Sequence, residues 1–594
     1  MERINQPDQR RYGVAESGIR LELRATLALA APLAAANLAQ MAMAVTNTVM
    51  VGRLGAMPLA AAGLGGMLYF TGGVMLQGVL SAVAPLAAQS LGARDRRAAG
   101  RFAGAGLVLA VLLAVPFVIV LARLDRLLAA LGYDTALAAE IGRYLRAIAW
   151  GGPAFLGFAV LRSLFAALSH TRSVMAVLLV CVASNAVLNW VLIFGHLGAP
   201  ALGMPGSGYA SAINHWLMLA GLALCARIMP RVAVLRVSRN AFVASRTEMA
   251  KILRLGLPIG GMRGIEVGVF MTAGILMGLL GPAALGAHQL MLNCAGITFM
   301  VPLGISQAAI VRVAYELGAG RAFAARQAGF VALALGMAFM STAAVVLWAI
   351  PDTIIAAYVD ISDPANRDLV EIARRLITVA AIFQVFDGMQ VIAAGVLRGY
   401  RDTFVPMMLA IFGYWGVGFG GSWVLAFPLG YGAVGLWWGL ALGLAVVALL
   451  LTLRLYWLGT PIGGRAEAIA LRKAEGRARS PASLTGLAGD GRVLVRLRHD
   501  AEVGFWGLPA PGVFFAGLLI RDRAGNDYIF ARLPVDRRGD PMFGGELTRV
   551  EEPEHFVKVA TARHRVGQHR LDLFVGSDHE HRTHRGVVRR SAAL

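Results

Sequence analysis

Charge is scarce in this chain. Asp, Glu, Lys and Arg make up 15% of the 594 residues, against about 25% in soluble domains. With 57% hydrophobic residues and a mean hydropathy of +0.65, an ordinary water-soluble protein is excluded. Cysteine is scarcer still. Cys181, Cys225 and Cys294 all lie in apolar runs, which reads as small core side chains and argues against a disulfide framework or a metal site. A phosphate-binding loop of the G-x-x-x-x-G-K-[ST] type is absent, so a primary ATP-driven pump is disfavoured. No nucleophile–base pair or metal constellation stands out, and an enzyme is the least supported reading. The first 25 residues are too charged for a secretory signal and the first apolar run lacks a cleavage site, so that run is expected to stay as a helix.

What the chain has instead is apolar runs of about 20 residues, the length that crosses a bilayer as a helix. Twelve are expected, near 26–51, 59–89, 101–122, 141–169, 173–195 and 207–229, then 250–280, 284–314, 327–350, 372–398, 403–428 and 432–458. The net charge of +21 could suggest nucleic acid, but the basic residues alternate with the spans. Arg94, Arg96, Arg97 and Arg101 follow the second span, His170 and Arg172 the fourth, and a run from Arg227 to Arg254 surrounds the connection after the sixth. The acidic connection 351–371 falls on the opposite side. By the positive-inside rule both termini are cytoplasmic, and the partner is the lipid bilayer rather than nucleic acid.

The runs also repeat. Pro32 and Pro258, Gly55 and Gly281, and Leu91-Gly92-Ala93 and Leu317-Gly318-Ala319 each lie 226 positions apart. The fold class expected is therefore an all-α membrane protein of twelve transmembrane helices in two six-helix lobes, plus a small C-terminal all-β domain. The division is 1–25 cytoplasmic segment, 26–230 first lobe, 231–249 inter-lobe loop, 250–459 second lobe, 460–488 basic linker, 489–577 β-rich domain and 578–594 basic His-containing tail. Alternating runs such as GVFFAGLLI (512–520) and HRLDLFVG (569–576) carry the β reading. His579, His581 and His584 sit among arginines and are read as tail, not as a zinc site.

Polar side chains inside the spans are few. Two acids lie deep, Glu266 and Asp387. A carboxylate in hydrocarbon costs at least about 2.5 kcal/mol on insertion scales, so it faces a cavity or a partner and marks a cation pathway. Gln384 and Gln390 flank Asp387 three positions before and after, on neighbouring faces, which suits H⁺ or Na⁺. Arg263, three residues before Glu266, can pair with it and modulate its charge. In the first lobe Gln40 and Asn47 share one face, as do Asn185 and Asn189. Such amides either bond between helices, worth about 0.6 kcal/mol each, or line a cavity; both readings stay open.

The segments AQMAMAVTNTVMVGRLG (39–55), GGPAFLGFAVLRSLFAALSHTRSVM (151–175), SNAVLNWVLIFGHLG (184–198), LGLPIGGMRGIE (255–266), ALGAHQLMLN (284–293), FMVPLGISQAAIVRV (299–313) and FQVFDGMQVIAAGVLRGYRD (383–402) together resemble the multidrug and toxic compound extrusion (MATE) family, in its bacterial NorM-like branch. The resemblance spans about residues 1–460. It implies two lobes related by a pseudo-twofold axis along the membrane normal, a bacterial inner-membrane location, and export of an organic, usually cationic, solute or drug in exchange for H⁺ or Na⁺, with no other cofactor. By position Glu266 and Asp387 resemble the family's acids on the seventh and tenth helices, Gln289 and Asn293 its polar positions on the eighth, and Asn185 and Asn189 a polar pair on the fifth. Asn47 departs from the Asp common at that place, so the first lobe lacks a deep acid. Coupling is then expected wholly in the second lobe, in a monomer. A lipid-linked precursor flippase, and a scaffold acting through the C-terminal domain with an unknown partner, are the alternatives.

Overall fold

The computed structural model describes residues 19–132, 134–235, 237 and 245–458, together with five strand segments near the C-terminus. Contacts divide the chain into two units, Met1–Gly464 and Arg465–Leu594. Among the described residues of the first unit, eleven helices are long and apolar enough to cross a membrane, or twelve when one bent pair is taken as a single span. We number these spans one to twelve: Ile19–Gly52, Ala56–Gly92, Arg96–Ala130, Thr135–Ala167, Thr171–Phe194 and Met204–Ile228 in the first lobe. The second lobe holds Arg246–Leu279, Pro282–Gly318, Ala322–Ala349, Pro364–Gly399, Phe404–Ala426 and Gly432–Leu458.

Helix starts carry their expected chemistry. Asp95 and Asp134 accept from the backbone N–H of Ala98 and Leu137, at 2.8 and 2.9 Å, which satisfies donors otherwise orphaned at a helix N-terminus. The repeat appears as geometry. Gly55 and Gly281 both adopt positive φ, +111° and +107°, at the turns joining spans one to two and seven to eight. Residues other than glycine enter that region only at a cost. Pro32 and Pro258 sit at matching places inside spans one and seven.

Three spans are less regular than their sequences suggest. Span two breaks at Ser81-Ala82 into Ala56–Leu80 and Val83–Gly92. Span four is Thr135–Ala149 followed by Gly152–Ala167, bent by 48° just before Pro153, a position where proline starts a helix rather than continuing one. Span eleven is π-helical over Phe412–Phe419, a wide turn that often marks a functional place.

The two lobes meet along spans one, two, seven and eight. A Cβ built on Gly92 would collide with the Tyr315 carbonyl, and one on Gly318 with the Gln89 carbonyl. These two contacts are the same contact exchanged between repeats. So are Gly78 against Gly260 and Gly304 against Ala34, where added Cβ atoms would fall 2.8 and 2.7 Å from backbone. Close backbone approach through small residues is the usual way helices associate where no water drives them together. Along span eight, Met300 still touches span one, its carbonyl accepting from Asn37 at 3.4 Å. Further along the same helix Asn293 and Gln289 are exposed. The close backbone contacts of the seam therefore gather at the end bearing Gly92 and Gly318, and that end is closed.

Within the second lobe, span ten is the axis, with 72% of its apolar window buried. The second unit is described only at the strands Phe514–Arg521, Tyr528–Val535, Leu547–Thr548, Ala560–Val566 and His569–Gly576. The run 492–499, the linker 460–488 and the His-containing tail lie outside the described residues.

Candidate functional site

The two deep acids lie together inside the second lobe. Gln390, on span ten, donates from its side-chain nitrogen to Glu266 on span seven and to Asp387 on its own helix, at 3.2 Å in each case. One amide thus joins carboxylates from two spans. Arg263 donates to the other oxygen of Glu266 at 3.0 Å, so the ion pair allowed by their three-residue spacing is formed. Asp387 is 7% exposed. The side chains of Arg263 and Glu266 retain 18% and 12% of their surface, so Glu266 is the more accessible acid and Asp387 lies deeper.

Sequence reasoning brought Gln384 to Asp387 as a second amide. The structure turns it elsewhere: its carbonyl oxygen accepts from Thr298 on span eight at 3.0 Å. It also passed over three groups that complete the surroundings. Arg398 is buried, with a nitrogen 3.9 Å from the sulfur of Met262. Tyr414 is buried on the π-helical turn, and its hydroxyl has no partner among the described residues. Its charged neighbours are Glu266, Asp387, Arg263 and Arg398. Trp415, one residue on, donates to the Ile265 carbonyl at 3.3 Å and ties span eleven to span seven beside Glu266. The only sequence signal for this turn was its glycines, Gly413, Gly416 and Gly418.

The first lobe holds amides in place of deep acids. Asn189 donates to Asn47 at 2.8 Å, and Asn47 donates to Ser211 at 3.0 Å, linking spans five, one and six. Asn189 also donates to the Asn185 carbonyl at 2.8 Å. Ser184 donates to Asn214 at 2.7 Å. Asn47 and Asn189 thus bond between helices, whereas the described bond at Asn185 runs through its backbone carbonyl within span five. Gln40, which shares a face with Asn47 in sequence, belongs to a different cluster. It accepts from Arg162 at 3.0 Å, and the same guanidinium donates to Asn37 and, at 2.8 Å, to Gln307 of the other lobe. Gln289 and Asn293 are exposed on span eight and do not join the acids; Asn293 donates to the Gln289 carbonyl at 2.9 Å.

Ion pairs bind the closed end of the seam. Glu22 at the start of span one receives two bonds from Arg312 on span eight, at 3.0 and 2.5 Å. Its repeat counterpart, Glu248 at the start of span seven, receives one from Arg101 on span three at 3.2 Å. Each acid grips the opposite lobe.

Two repeats, an acid pair deep within the spans of the second alone, and a seam closed at one end define a helical membrane transporter rather than an enzyme. The chain matches the MatE family profile over residues 32–191 and 258–424, one match in each lobe, and belongs to that family. It is 42% identical over 441 residues to the probable multidrug resistance protein NorM of Mesorhizobium japonicum, covering 74% of this chain and 94% of the relative. It is 44% identical over 437 residues to the multidrug resistance protein NorM of Burkholderia vietnamiensis, covering 73% and 93%. The fold is that of the eukaryotic MATE transporter AtDTX14, at TM-score 0.67 and 22% identity over 78% of this chain and all of the other. An outward-facing multidrug resistance MATE family transporter superposes at TM-score 0.67, with 18% identity over 75% of this chain and all of the other.

Proposed function

We propose that this protein is a secondary active multidrug exporter, moving an organic solute outward as H⁺ or Na⁺ moves inward. The observation that carries the reading is the join between Glu266 and Asp387 through Gln390. A cation arriving at one carboxylate changes the bonds of both, and with them the packing of span seven on span ten. Reciprocity then requires that solute binding weaken cation binding and the reverse. Relatives named multidrug resistance protein NorM support the passenger class.

The arginine-rich connections support a cytoplasmic location for the closed end, in which case this conformation faces outward. Gln289 and Asn293 are then side chains of the open cleft, where a solute can touch them. The strands support a small β domain over 489–577, whose partner is a separate matter from transport. Purified protein in liposomes, loaded with a fluorescent drug and given a pH or a Na⁺ gradient in turn, tests the proposal. One gradient should drive accumulation. Equal fluxes with both gradients absent would refute coupled export.

A further inference from the structure

We propose that Arg398 is an electrostatic barrier, keeping the coupling ion from crossing the second lobe when no passenger is carried. The inference rests on the export reading above and adds what restrains the ion at the same acid pair. Its basis is a buried charge with an unusual partner. Arg398 is 8% exposed and is the only buried arginine or lysine among the described residues. Its one described hydrogen bond goes to the sulfur of Met262 at 3.9 Å, a weak acceptor. The carboxylates around it are engaged: Arg263 and Gln390 hold Glu266, and Arg454 holds Asp402 at 3.0 Å. The charged and titratable groups that face it are Arg263 and Glu266 from span seven and Tyr414 from span eleven. Burying a cation in this way is costly, and a role for the charge itself accounts for that cost.

The place of the charge gives the role. Arg398 lies in the last turn of span ten, where Gly399 packs on Val313 of span eight, toward the closed end. It follows Gln390 by eight residues, about 12 Å of helix, and Met262 precedes Glu266 by four, about 6 Å. The guanidinium thus stands between the acid pair and the closed end. An ion entering from the other side reaches Asp387 and Glu266 and meets this charge next. Fixed arginines exclude protons and cations from a route by such repulsion. With both acids ionised, their two charges are balanced by Arg263 and Arg398. An added ion leaves the group positive and moves further only by approaching Arg398. Onward passage therefore needs that charge cancelled. Glu266, about one turn along the helix from Met262, supplies the anion. As spans seven and ten shift during exchange, Arg398 pairs with Glu266, takes the ion's place there and removes the barrier.

The test uses full-length protein in liposomes holding dyes sensitive to pH and to Na⁺, with a fluorescent drug as passenger. Passenger-free flux of the driving ion is read first, then the ions moved per passenger. Arg398→Gln should raise passenger-free flux about tenfold, the repulsion between unit charges about 10 Å apart in a protein interior, and should raise the ions moved per passenger. Arg398→Lys keeps the charge and should stay near wild type. Met262→Glu leaves the arginine in place, gives it a carboxylate, and should leak as Arg398→Gln does. A helix-capping role alone would lower the thermal stability of Arg398→Gln and leave the flux unmoved. Passenger-free flux unchanged in either Arg398→Gln or Met262→Glu, or raised equally in Arg398→Lys, overturns the proposal. If Arg398→Gln does not fold, the Met262→Glu result decides alone. Absence of passenger-linked ion movement in wild type would instead remove the export reading, and this inference with it.

Discussion

The two lobes share one backbone design and differ in what they bury. In the first, Asn47, Asn189 and Ser211 make a neutral network that links three helices. In the second, the joined carboxylates of Glu266 and Asp387 sit beside Arg263. Amides cannot take up and release a proton near neutral pH, whereas carboxylates can. The repeat preserved the machinery of movement in both copies: turn glycines, seam contacts and end clamps. Among the described residues, a joined pair of carboxylates deep in the spans occurs in one copy only. Symmetry of motion and asymmetry of charge are therefore separable, and substitutions can probe them one at a time.

The largest expected effect is on the second lobe. Asp387→Asn should lower gradient-driven accumulation by about two orders of magnitude, as loss of a proton-handling group does, measured as initial uptake in vesicles. Glu266→Gln should cost about tenfold, because Gln390 and Arg263 keep neutral or charged partners nearby while one acid remains; an effect exceeding that of Asp387→Asn would reverse their ranking. Next comes the seam. Gly318→Leu and Gly92→Leu each place bulk against backbone in equivalent contacts, and both should hold the closed end apart. Cysteine labelling at Ser90 reads this, and a response from only one variant would break the pseudo-twofold account.

Loss of an end clamp is smaller. Glu22→Gln leaves Arg312 with Glu316, 3.5 Å away, and should shift the balance toward the state open at that end by about 1–2 kcal/mol, within the range of a single charged hydrogen bond. The smallest change expected is Asn47→Ala. It should lower thermal stability by about 1 kcal/mol, the size of interhelical amide bonds in bilayers, and leave the number of ions moved per passenger unchanged. Altered stoichiometry there would return coupling to the first lobe.

Much of this was legible in residues alone. The spacing of 226 positions located both repeats, and it reappears as paired turns at Gly55 and Gly281 and paired contacts at Gly92 and Gly318. Glu266, Asp387, Gln390 and Arg263 were found because polar groups in apolar runs are conspicuous. Partners across helices were not legible, because spacing along a helix gives a face and not what that face meets. Gln384 turns to Thr298, and Gln40 to Arg162, for that reason. The break at Ser81-Ala82 had no proline to announce it, and the π-helical turn at Tyr414 had only its glycines, a weak signal in glycine-rich spans; packing between helices decides both.

The claim that the second lobe exchanges an ion for the passenger is tested most directly by adding passenger to purified protein in weakly buffered solution and measuring released H⁺ and Na⁺. Wild type and Asn47→Ala should release ion in proportion to passenger bound, and Asp387→Asn should release none. Undiminished release from Asp387→Asn would contradict the account.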